Sequence, residues 1–126
     1  MAMLSCGETF SAVRIPASVV QAEARSAEPE RVGTCLAAGM HEGPVICDRL
    51  AGCYYALVPP KAVRWEVKGI AWLGIGSVLG VPRPGITVGD GTRVYRAVPA
   101  TSAAELCSPP AVSQLVAMGR YRELFR

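Results

Sequence analysis

The stretch from Trp65 to Gly85, WEVKGIAWLGIGSVLGVPRPG, constrains this chain more than any other. Its centre, Ile70 to Val81, carries no charge, yet Gly74, Gly76 and Gly80 interrupt it and Pro82 and Pro84 close it. A membrane helix needs about 20 continuous apolar residues, and this segment is shorter and broken. An apolar run that is bounded by turn residues and carries β-branched side chains reads as buried strand. The expected arrangement is two short strands, Ile70–Leu73 and Ser77–Val81, joined by a tight turn at Gly74-Ile75-Gly76.

The flanking chain supplies further strands and three helices. Phe10 to Ile15 is expected as a first strand ended by Pro16, which cannot donate to a ladder. Ala17 to Arg25 favours helix. Pro29 suits the first turn of a second helix running to about Ala38, with Gly39 as its stop. On it Val32, Cys35 and Leu36 share a face at i, i+3, i+4 spacing. Val45–Cys47, a turn over Asp48 to Gly52, and Cys53–Val58 read as a hairpin. Lys61 to Lys68 is expected as a polar connector, and Gly85 to Gly91 as a glycine-rich loop. Thr92–Val98 alternates as a strand, which would set Val94, Arg96 and Val98 on one face and Arg93, Tyr95 and Ala97 on the other. Ser108-Pro109 is a helix start, with Val112, Leu115 and Val116 on one face and a stop near Gly119.

A chain of 126 residues that is 51% hydrophobic and 18% charged suits one compact domain with a real core. We expect a single domain over residues 1–126, with a flexible amino terminus over 1–8 and a tail over 119–126. The fold class is α+β, a single mostly antiparallel sheet with helices on one side. Five cysteines without a C-x-x-C pair, and no export signal, place the protein in the cytoplasm with reduced thiols. The formal charge of +3 admits an acidic partner but lacks the excess of a dedicated nucleic-acid binder.

The order GPVICD, AGCYYALVPP, GIAWLGIGSVLGVPRPG and RVYRAV resembles the second half of the bifunctional DNA primase/polymerase (prim-pol) domain. It is similar also to small actinobacterial proteins of unknown role that keep this scaffold. The resemblance implies an antiparallel sheet on which polymerising members hold two metals with carboxylates and use a histidine near the phosphates. Here the histidine position falls at Tyr54, or at Cys53 with a one-residue slip, the metal aspartate at Ala71 and its neighbouring arginine at Leu73. Two-metal chemistry needs convergent hard oxygen ligands, so no catalytic residue, metal or cofactor is expected.

Other chemistry is thin. His41, Cys47 and Cys53 fit no common zinc spacing, and a nucleophilic Cys47 or Cys53 would need a base or a positive field. The lone Gly74-x-Gly76 is better explained by a turn than by phosphate binding. Trp65, Lys68, Arg93, Tyr95 and Arg96 combine rings with cations, the ingredients of a single-strand stacking surface. Leu115, Met118, Leu124 and Phe125 supply apolar surface near the carboxy terminus, expected to bury against the sheet or a second copy. The leading expectation is therefore a non-enzymatic interaction module, acting on a protein partner or as a homodimer, away from membranes. The second is a single-stranded nucleic-acid or nucleotide binder.

Overall fold

The computed structural model describes residues 1–60, 69–98 and 106–125. The strands are β1 (Ala2–Ser5), β2 (Ser11–Pro16), β3 (Val45–Asp48), β4 (Cys53–Val58), β5 (Ala71–Leu73), β6 (Val78–Val81) and β7 (Val94–Val98). The helices are α1 (Ala17–Ala24), α2 (Pro29–Gly39) and α3 (Pro109–Leu124), and Val88–Asp90 forms a single 3₁₀ turn. The fold is α+β and antiparallel throughout its described ladders.

Five strands form the main sheet in the order β5-β2-β4-β3-β7, while β1 and β6 form a separate two-stranded ribbon. Alternation gives each face of the main sheet its own core. Val13, Ile15, Val45, Tyr54, Ala56 and Val58 meet Val20, Val32, Leu36, Val112 and Leu115 of the helices. On the opposite face Ala12, Ile46 and Leu57 meet Leu79 and Val81 of the ribbon, together with Cys6 and Phe10. The helices thus lie on one side, as expected, and the ribbon covers part of the other.

The apolar run does not make the expected hairpin. Segments β5 and β6 are not paired; β5 pairs with β2, and β6 pairs with β1. The turn itself is present, with Ser77 donating to the Gly74 carbonyl at 3.0 Å and Gly76 at φ +95°. Both ladders have nearly the same register: Ala2 faces Val81, and Ala12 faces Leu73. Residues 2–14 and 71–81 are therefore one long antiparallel pairing, folded over the sheet at Gly7 and Gly74–Gly76. Cys6 N–H donates to the Ser77 carbonyl at 2.9 Å beside that fold. Gly7 sits at φ +101°, and a Cβ there would run into the Ile75 backbone at 2.8 Å. A glycine is what lets the chain turn this sharply against its neighbour. Within the amino terminus, expected as a flexible segment over 1–8, residues Ala2–Ser5 form a strand paired with Val78–Val81.

Two more boundaries differ. The long helix does not stop at Gly119 but continues to Leu124. A register shift between Val45 and Ile46 inserts an extra residue in β7, so Val98 joins Tyr95 under the helices instead of siding with Arg96. Such a bulge flips the side chains beyond it.

Candidate functional site

The described residues among those expected to form a stacking surface, Arg93, Tyr95 and Arg96, do not share a face. Trp65 and Lys68, like the whole 61–68 connector, lie outside the described residues. Tyr95 is 3% exposed and offers no ring face to a base. It is packed with Tyr54 and Cys47 beneath the helices, and the Arg49 guanidinium caps its ring at 4.5 Å from the centroid. Burial pushes the Tyr95 hydroxyl up to about 12, with the Cys47 hydrogen bond adding to it. Arg96, on the opposite face, donates from Nε to the Pro82 carbonyl at 3.2 Å and is occupied holding that loop. Arg93 is exposed but forked onto Asp48, Nε to Oδ1 at 3.0 Å and the second nitrogen to Oδ2 at 3.2 Å.

The positions carrying the prim-pol resemblance separate in the same way. Tyr54 points to the helix side, whereas Ala71 and Leu73, opposite Arg14 and Ala12, point to the ribbon side. Cys47 and Cys53 likewise point to opposite faces, and His41 stands on an exposed turn at φ +51°. Among the described residues no group of three or more His, Cys, Asp or Glu side chains could hold a metal ion, and no helix is long and apolar enough to cross a membrane.

Two of the concavities among the described residues gather polar side chains from more than one element. The larger, about 440 Å³, is a groove between the carboxy-terminal ends of α1 and α3 lined by Gln21, Arg25, Ser26, Tyr121, Arg122 and Phe125. It exists because α3 outruns the sheet. Val112, Leu115 and Val116 are buried, but Leu124 is 79% exposed and Phe125 72%. The expectation that this segment buries its whole apolar stripe holds only for its first half. Tyr121 and Phe125 pack ring against ring, centroids 4.7 Å apart and planes tilted by 41°. The groove is held by Arg122, whose Nε donates to Glu23 Oε2 at 3.3 Å across the two helices. Arg25 ends α1 in the left-handed region at φ +55°, with its N–H satisfied by Ala22 and Gln21 carbonyls. Its guanidinium has no ion pair among the described residues.

The smaller concavity, about 270 Å³, lies on the ribbon side where the ribbon leaves the sheet uncovered. Arg14, Pro16, Ala51, Gly52, Cys53, Gly69 and Ala71 line it. Arg14 faces Tyr55 across the ladder, and Cys53 faces Asp48, so these four side chains project from neighbouring positions of one face. The sequence alone does not single out Arg14, Arg25 or Tyr121. An amphipathic helix end could have flagged Tyr121; the Arg14–Tyr55 meeting depends on strand register, which no local pattern reveals.

No protein-family model matches the chain, no curated protein matches it, and no solved structure matches it.

Proposed function

We propose that this protein is a non-enzymatic interaction module, and that the α1–α3 groove receives a protein segment that combines apolar side chains with a carboxylate. The observation that carries this reading is the tilted Tyr121–Phe125 ring pair, left exposed at the end of a helix whose Val112, Leu115 and Val116 are buried, and set beside the uncommitted cation of Arg25. Exposed aromatic rings beside arginine are the side chains most often found at the energetic centre of protein contacts. Large apolar side chains clustered on a surface mark interaction sites, whereas scattered ones need no explanation. An incoming carboxylate would pair with Arg25 by a charge-assisted bond. The mild positive charge of the chain favours such a partner at long range. Five free thiols fit action in a reducing compartment such as the cytoplasm.

The test uses a random dodecapeptide display library selected against the full chain and against the Arg25→Glu/Phe125→Ala variant. Enriched peptides should join Asp or Glu to large apolar residues and should lose binding to the variant. Peptides that bind both proteins equally, or no enrichment over blank beads, would reject the groove as the docking site.

A further inference from the structure

The two-stranded ribbon has an edge and an outer face that no described segment covers. Within it β1 pairs with β6, and no described strand lies along the other side of β1. Antiparallel partners alternate between pairs that exchange hydrogen bonds and pairs that do not. Cys6 N–H donates to the Ser77 carbonyl at 2.9 Å. By that alternation Leu4 and Ala2 are the positions bonded to β6, and the main-chain groups of Met3 and Ser5 turn outward. Side chains alternate too. Leu4 lies opposite Leu79, on the face that looks onto the main sheet, and stays 41% exposed at the open edge. Met3 lies on the outer face and is 63% exposed. With Met1 it drapes across Gly80, where a Cβ would meet the two sulfurs at 3.0 and 3.5 Å. Val78 and Ile75 continue this exposed apolar surface toward the turn.

Exposed strand edges are ordinarily guarded by charge, proline or a bulge, because unpaired N–H and C=O groups recruit another strand. The β1 edge has none of these guards. Residues 1–7 and 74–81 hold no charged side chain and no proline, and the pairing of β1 with β6 is regular. We propose that a second copy of this chain docks here, β1 pairing antiparallel with β1 of its twin about a two-fold axis and joining the two ribbons into one continuous sheet. Charge favours the second copy as occupant. The chain carries +3, so two copies repel through any basic face, whereas the ribbon lets them meet without opposing like charges. A charged partner finds no counter-charge on these residues, but an uncharged apolar edge matches itself. Centring the axis on Leu4 pairs Met3 of each copy with Ser5 of the other. That register satisfies the outward groups and covers Leu4 with its counterpart. Strands this short belong with the small interfaces, below about 1,200 Å², so the dimer dissociates on dilution.

This edge is separate from the α1–α3 groove, and the test tells the two apart. Sedimentation velocity on the full chain, over about a hundredfold range of concentration, should show the mass rising from one copy toward two. Met3→Pro removes an outward N–H and leaves the β1–β6 ladder its own bonds. It should weaken association about tenfold or more, with an unchanged urea midpoint in dilute solution. Met3→Lys sets an ammonium at an exposed position without altering the main chain, and should weaken association likewise. It carries the test should the proline disturb the strand. The Arg25→Glu/Phe125→Ala variant should associate as the wild type does. A wild-type chain that stays a single copy throughout, association unaltered in Met3→Lys, or association lost only in the groove variant would overturn the assignment.

Discussion

Gly119 is where α3 approaches α1, and replacing it with alanine tests the packing that creates the groove. A Cβ at this position would meet the Val19 carbonyl oxygen, and would lie 2.7 Å from Val19 Cγ1 and 3.1 Å from the Val19 carbonyl carbon. Carbon atoms pack comfortably at about 3.5–4.0 Å, so the helices must part by close to 1 Å. The obstructing oxygen belongs to the backbone and cannot rotate away as a side chain would. Alanine in a helix gains about 1 kcal/mol over glycine. Overpacking of this kind costs about 1–3 kcal/mol, and a fixed backbone obstacle belongs in the upper half of that range. The net expectation is destabilisation by about 1–2 kcal/mol. Gly39→Ala supplies the control, because a Cβ there would sit 3.7 Å from Leu115 Cδ1 in ordinary contact. It should be neutral or gain about 0.5 kcal/mol. With a slope of about 2 kcal/mol per molar urea, the two midpoints should differ by about 1 M. A Gly119→Ala protein as stable as Gly39→Ala would refute the close approach of the helices.

Two further outcomes follow from single side chains. Arg96→Glu removes a half-buried donor to the Pro82 carbonyl, and should cost about 1–3 kcal/mol in urea unfolding; an unchanged midpoint would show that this guanidinium holds nothing. Burial pushes the Asp48 carboxyl up, but the Arg93 hydrogen bond, the Ala51 and Leu50 N–H groups and the Arg93 charge outweigh it, so it ends below the usual carboxylate range. A depressed folded-state pKa stabilises the protein above the unfolded value of about 3.9 and loses that contribution as pH falls through the folded value. Asp48→Asn should therefore destabilise at pH 7 and flatten the acid limb of stability below about pH 4. A wild-type and a variant curve that stay parallel down to pH 2 would exclude this linkage.

Much of the local structure was legible before any coordinates. Pro29 opening a helix that Gly39 ends, and Cys53–Val58 as the return strand of a hairpin, depend on signals contained in a few consecutive residues. Pro29 acts through its fixed φ, and Gly52, at φ +66° in the hairpin turn, through its freedom to adopt the left-handed region, so such boundaries need no partner to be defined. The α+β class follows, since strands and helices of these lengths can bury their apolar faces only against one another.

Partnership was decided by the tertiary structure. The glycine-broken run supplied a turn, but its two halves pair with residues 2–5 and 12–14 instead of with each other. A strand's ladder groups are satisfied by any chain of suitable register, and the amino terminus wins because its own glycine lets both chains fold over the sheet together. Face assignment was decided the same way. One bulge moved Val98 to the helix side, and register set Arg14 opposite Tyr55 on the ribbon side while Tyr95 went under the helices. Composition and spacing settle which elements exist, because those depend on neighbours in the chain. Which side chains meet depends on pairings up to about eighty residues apart, and only three-dimensional packing chooses among them.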